Sequence, residues 1–135
     1  MKALVVDDDL VTRIMVQEML APYAEVHSCA DGSEAVWAAT RAIERGVPYD
    51  LICMDLMMPA MGGLEALKLI RKEEARHGRA RPQATKVIIA TASDDVETID
   101  EAFRELCDAY IVKPIEGAEL LNLVHCLSPI EERVR

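Results

Sequence analysis

At 135 residues, 51% of them hydrophobic, the chain is sized for one globular domain that can bury a core without a disulfide or metal staple. Twenty-four acidic against fifteen basic residues leave a net charge of −9, which repels phosphate backbones and anionic membranes and argues against direct nucleic-acid binding. No stretch approaches the roughly 18 apolar residues of a membrane span, and the few apolar residues after Met1-Lys2 are too short for a signal-peptide core. A cytoplasmic protein with no membrane insertion is expected. Cys29, Cys53, Cys107 and Cys126 form no C-x-x-C pair and read as reduced core residues.

Apolar runs alternate with amphipathic segments along the whole chain. Ala3 to Val6 comes first, followed by a helical segment with Val11, Ile14, Met15 and Met19 on one face, stopped by Pro22. The second run, Ala24 to Cys29, is more polar, with Glu25, His27 and Ser28. Asp31-Gly32 opens a helix with a Val36, Ala39 and Ile43 stripe, ended by Gly46 and Pro48. Leu51 to Met54 is the third run. It stops on a carboxylate, Asp55, and Pro59 with Gly62-Gly63 prevents it from continuing as a strand.

A helix through Leu64, Leu67 and Ile70 then leads toward Gly78. The heavily charged stretch from Arg71 to Arg81 reads as a solvated helix end and loop. Val87 to Ala90 is the fourth run. Asp94 and Glu97 have capping-box spacing, opening a helix with Val96, Ile99, Phe103 and Leu106 inward. The fifth run, Ala109 to Val112, meets Lys113-Pro114. A last helix carries Leu120, Leu123, Val124 and Leu127 and stops at Pro129, so residues 1–128 form the domain and 129–135 a short charged tail.

Strand and helix alternating five times predict a doubly wound α/β fold, a five-stranded parallel sheet with helices on both faces. The first, third and fourth runs are almost wholly apolar, as strands buried on both faces must be. The polar second run belongs at an edge. The order 2-1-3-4-5, flavodoxin-like (βα)5, satisfies both conditions with right-handed crossovers.

In such a sheet the carboxyl ends of the strands share one edge, where ligands bind. The first run delivers Asp7-Asp8 there, the third Asp55, the fourth Thr91 and the fifth Lys113. Singly, each has an ordinary reading: a turn with Asp9 as a helix cap, a strand-end cap, a structural hydroxyl, a surface charge. On one edge together they make a chemical site. Three carboxylates without His or Cys suit a hard cation, Mg2+ above all. A cation, a lysine and a hydroxyl are what phosphoryl chemistry requires, with Asp55 as the nucleophile and an aspartyl phosphate as the product.

Val6-Asp7-Asp8, Asp55 with Met57-Met58-Pro59 and Gly63, Thr91-Ala92 and Tyr110-x-x-Lys113-Pro114 resemble the receiver domain of two-component response regulators, over residues 2 to 127. The resemblance implies that Asp7, Asp8, Asp55 and the Met57 carbonyl hold Mg2+. It implies that Asp55 accepts a phosphoryl group from a phosphohistidine on a sensor histidine kinase or histidine phosphotransfer protein. Lys113, before a cis proline bond, would contact that group, and Thr91 with Tyr110 would form the switch pair. Output would pass to a downstream protein effector through the face of the fourth helix, fifth strand and fifth helix, with Val96, Ile99, Phe103 and Tyr110 coupling it. Gly62 stands where the family often has Asp, so more loop freedom and intact chemistry are expected.

The chain reads as a stand-alone receiver, with an excised piece of a larger regulator or hybrid kinase as the other possibility. Two further function classes compete. A Mg2+-dependent phosphatase or phosphotransferase of the haloacid-dehalogenase kind also uses a strand-end Asp, but needs a second Asp two residues on, where this chain has Met57. Turnover of an external substrate is therefore not expected. A phosphorylation-independent interaction module is disfavoured because every residue the chemistry needs is present. Trp37 packs or lies on a helix surface, and His27, His77 and His125 show no ligand spacing.

Overall fold

Strands β1 (Lys2–Val6), β2 (Glu25–Cys29), β3 (Leu51–Asp55), β4 (Lys86–Thr91) and β5 (Ala109–Val112) form one parallel sheet in the computed structural model. Their order is β2-β1-β3-β4-β5, as the polarity of the runs predicts. The model describes residues 1–79, 84–92, 100 and 106–127. Within these, helices α1 (Leu10–Leu20), α2 (Gly32–Glu44), α3 (Gly63–Arg76) and α4 (Gly117–Leu127) are present. The capping box at Asp94 and Glu97, the inward positions Val96, Ile99 and Phe103, and the 129–135 tail lie outside the described residues.

Because successive strand residues point to opposite faces, the sheet divides the core in two. Leu4, Val6, Ile52, Met54, Val87 and Ile89 pack under α2 and α3. Ala3, Val5, Leu51, Cys53, Ile88 and Ile111 pack under α1 and α4. Every residue of β3 is buried, whereas β2 at the edge is mostly open, which is why its polar residues are tolerated. Two strands run one residue further than their apolar cores, taking Asp55 and Thr91 into the ladder.

Helix starts follow from short polar caps. The Asp9 carboxylate accepts the Thr12 N–H at the start of α1. Asp31 accepts the Glu34 N–H while the Glu34 carboxylate reaches back to the Ala30 N–H, a reciprocal pairing that fixes the start of α2. Gly62 begins α3 with no side-chain cap.

Three expectations are corrected. In α1 it is Val16 and Leu20 that are buried, with Met19 partly covered, while Val11, Ile14 and Met15 face outward. Apolar residues occur nearly all round that helix, so its period alone does not choose the buried face. Of the cysteines only Cys53 is buried; Cys29 and Cys107 are half-buried and Cys126 is exposed. Burial pushes the Cys29 and Cys53 thiols up to about 12, which keeps them protonated and unreactive.

The third correction concerns the charged stretch after Ile70, which begins as an ion network and not as a solvated end. Arg71 donates to Glu74 at 2.7 Å, to the carbonyls of Thr85 and Leu106 at 2.8 Å, and to Asp108 at 3.2 Å. Glu74, 1% exposed, also accepts the Thr85 N–H at 2.7 Å, and Asp108 accepts the Val87 N–H at 2.8 Å. These bonds tie the end of α3 to the amino ends of β4 and β5.

Candidate phosphoryl and metal site

Asp7 directly follows β1, Asp55 ends β3 and Lys113 directly follows β5. By the alternation of the strands all three continue the side-chain parity of the α1/α4 face. The Lys113 ammonium lies between the two acids, 2.9 Å from Asp7 Oδ2 and 3.3 Å from Asp55 Oδ1. The other Asp7 oxygen accepts the Asp9 N–H at 2.9 Å, and Arg13 donates to the Asp7 main-chain carbonyl at 2.8 Å. Asp7 and Asp55 are buried, Asp8 is exposed, and one oxygen from each of the three lies within 4.8 Å of the others.

Two buried carboxylates therefore share one ammonium, with a third acid, Asp8, beside them. Burial raises the Asp55 carboxyl to about 6, with the neighbouring Asp7 charge pushing the same way and Lys113 and the Met57 N–H opposing it. Burial works against the Lys113 ammonium too, but its hydrogen bond to Asp7 and the Asp55 charge outweigh that and raise its pKa. The donor set is all oxygen, two acids are sunk and one stands at the opening, and the local charge is net negative. That chemistry fits a hard divalent cation such as Mg2+ and does not fit a soft metal.

The loop after Asp55 is held by close backbone approaches. A Cβ at Gly63 would collide with the Asp55 carbonyl oxygen, and the Gly63 N–H donates to the Leu56 carbonyl at 2.9 Å. Gly32 at the start of α2 lets the Met61 carbonyl pass, since a Cβ there would lie 2.6 Å from it. Between these points Ala60 sits in the left-handed region at φ 64°, where a side chain is disfavoured. Met57 is 73% exposed.

Asp7, Asp8, Asp55 and Lys113 are thus brought together, with Met57 one hydrogen bond from Asp55. Thr91 is fully buried at the end of β4; it follows Ala90, which lies opposite Asp55, and its carbonyl accepts the Lys113 N–H at 2.7 Å. Tyr110 lies opposite Ile89 and Thr91 opposite Val112, so both carry the parity of the α2/α3 face, where Tyr110 is half-buried. The Lys113–Pro114 bond is cis. Sequence reasoning misses Arg13, whose only signal is its place one turn beyond the Asp9 cap. It also misses the outward strip Leu10, Val11 and Ile14 beside the acids.

Comparison with known proteins gives a consistent result. A family model described as the response regulator receiver domain matches residues 3–125. Probable histidine kinase 2 of Oryza sativa subsp. indica is 36% identical over 135 residues, an alignment covering 93% of this chain and 12% of that kinase's length. Among solved structures, the chemotaxis protein CheY4 of Vibrio cholerae is 28% identical with a TM-score of 0.77, covering 93% of this chain and 97% of that one. The receiver domain of the histidine kinase CKI1 from Arabidopsis thaliana, complexed with Mg2+ and BeF3-, is 29% identical with a TM-score of 0.77, covering 97% and 89%.

Proposed function

This chain belongs to the response regulator receiver domain family, and from that premise we propose that it is a phosphorylation-driven switch whose phosphoacceptor is Asp55. The observation that carries the reading is the Lys113 ammonium held between two buried carboxylates, with a third at the opening. With its carboxyl at about 6, Asp55 is ionised at neutral pH and can act as a nucleophile. One of its oxygens attacks the phosphorus of a phosphohistidine; the P–N bond breaks and its electron pair stays on the imidazole. Lys113, already at the acid, exchanges its contact with Asp55 for one with a phosphoryl oxygen. Asp7, Asp8 and Asp55, with the Met57 carbonyl, would hold Mg2+, which when bound neutralises charge on the acids and on the transferring oxygens.

The phosphoryl group adds about −1.5 to −2 charges at the end of β3. Thr91, at the end of the neighbouring strand, is assigned as a donor to it, and Tyr110, on the same sheet face as Thr91, as the side chain that follows. Moving a two-state switch from mostly off to mostly on needs about 5.5 kcal/mol of differential interaction. Charge-assisted hydrogen bonds of about 1.5–3 kcal/mol each from Thr91 and Lys113 supply much of it.

The donor we assign is a protein, a sensor histidine kinase or a histidine phosphotransfer protein. Leu10 and Val11, 56% and 66% exposed, follow the Asp9 cap immediately, so an apolar docking strip adjoins the acids. The effector would bind the face that includes β5 and α4. With Met57 where a hydrolase would carry a second Asp, release to water of small substrates is not assigned to this site, and residues 1–128 are taken as the functional unit. The test is intact mass after incubation with Mg2+ and acetyl phosphate. One added phosphoryl group in the parent and none in Asp55→Asn is the expected result; equal labelling of both proteins would refute the assignment.

A further inference from the structure

At the amino end of the sheet, away from the acids, the start of β1, His27 of β2, the later turns of α2 and the approach to β3 surround an open cavity of about 220 Å³. Its charged lining is Lys2, Arg41 and Arg45, and no Asp or Glu lines it among the described residues. In a chain of net charge −9 this is a local reversal of sign. Two rings complete the walls: Tyr49, buried, and Trp37, 67% exposed.

The cations already lie against the rings. The Arg41 guanidinium is 5.6 Å from the centre of Trp37, and the Lys2 ammonium is 4.6 Å from the centre of Tyr49. Lys2 also donates to the Val47 carbonyl at 2.9 Å. Neither Arg41 nor Arg45 has a carboxylate partner among the described residues. The Tyr49 hydroxyl is fixed 2.7 Å from His27 Nδ1, with the two rings edge to face. The carboxyl end of α2 accounts for some attraction of Arg41 and Arg45. It does not account for a large aromatic side chain left in water beside an open, positively charged cavity, where a tryptophan forgoes much of the burial that usually stabilises it.

We propose that this cavity binds a small aromatic anion: one ring carrying a carboxylate or a phosphate. The ring would lie against Trp37 and Tyr49 and the acid would meet the two guanidiniums, which suit planar and tetrahedral oxyanions. The volume is enough for one ring. A cavity of about 150 Å³ holds benzene, and the space here, about 220 Å³ and open to solvent, adds room for an acidic group.

Trp37 is the only tryptophan in the chain, so its fluorescence reports on the site directly. The titration uses the 135-residue chain with Asp55→Asn and without Mg2+, which keeps phosphate esters from reacting at the distant acids. Benzoate and phenyl phosphate are the probes, and the tighter of the two identifies the acid. A saturable change with at least one of them is expected. Its Kd should rise about tenfold in Arg41→Gln/Arg45→Gln, the loss of a charge-assisted contact, and stay unchanged in Lys68→Gln on α3. If circular dichroism finds the double variant unfolded, Arg45→Gln alone makes the same comparison. No saturable change with either probe overturns the proposal. So does equal binding of neutral benzyl alcohol, equal binding of inorganic phosphate, or a preference for an acidic peptide over both probes.

Discussion

Two clusters of buried charge occupy opposite ends of the same sheet and are balanced differently. At the amino end Arg71 meets Glu74 and Asp108, Arg79 approaches Glu74 at 3.8 Å, and main-chain groups of Thr85, Val87 and Leu106 join the bonding. Among the described residues two cations face two acids, and both acids accept backbone N–H groups as well. At the carboxyl end buried Asp7 and Asp55 share Lys113, with the exposed Asp8 a third acid close by. A balanced cluster holds one conformation, because any displacement strands a buried charge. The unbalanced one keeps an excess of negative charge, and it is there that we place the proposed cation and phosphoryl chemistry.

The comparison is broken most severely at the balanced end. Arg71→Ala takes the guanidinium from buried Asp108 and leaves Glu74 only Arg79 at 3.8 Å, and should lower stability by about 3–5 kcal/mol in urea unfolding. A loss below about 1 kcal/mol would mean that the network does not hold α3 to the sheet.

At the unbalanced end the sign reverses. The Asp55 carboxyl is held at about 6 against an ordinary 3.8, so the native state takes up this proton before the unfolded chain does. The stability it contributes is fully present below pH 3.8 and is lost as pH rises through 6. At pH 7 without metal, Asp55→Asn should therefore be more stable than the parent by about 1–3 kcal/mol, and the difference should vanish toward pH 4. A destabilised Asp55→Asn at pH 7 would show that Lys113 compensates the acid fully.

Mg2+ should sharpen the same contrast. At ten times its Kd it should stabilise the parent by about 1.4 kcal/mol; chelation should remove that gain, and Asp8→Asn should abolish most of it. Arg71→Ala, at the other end, should keep the full increment. The smallest effect belongs to the loop between Asp55 and α3. Ala60→Gly relieves a left-handed alanine and should raise the unfolding midpoint by the equivalent of about 0.5–1 kcal/mol.

The chain order of apolar runs carries the sheet and its strand order, because buried parallel strands have to be apolar and the edge strand does not. It also carries the acids and Lys113, since a residue that ends a strand in this topology has one edge to go to. The face of α1 is not legible in the same way: Leu10, Val11, Ile14 and Met15 are as apolar as Val16 and Leu20, and only the neighbours of the helix decide between the two sets. Arg71 and Glu74 look like surface charges for a related reason. Asp108, Thr85 and Leu106, which surround Arg71, are 14 to 37 residues away along the chain, and nothing local marks them as partners. The cavity beside Trp37 draws on β1, β2, α2 and the approach to β3, so it exists only once the sheet has formed.

The destination of the phosphoryl group is the decisive observation. After phosphorylation with Mg2+ and acetyl phosphate, borohydride reduces an aspartyl phosphate to homoserine, a stable mark that peptide mass spectrometry can locate. Homoserine is expected at position 55 and at no other acid. Homoserine at position 7 or 8, or a phosphoryl group that survives reduction on a histidine, would contradict Asp55 as the phosphoacceptor.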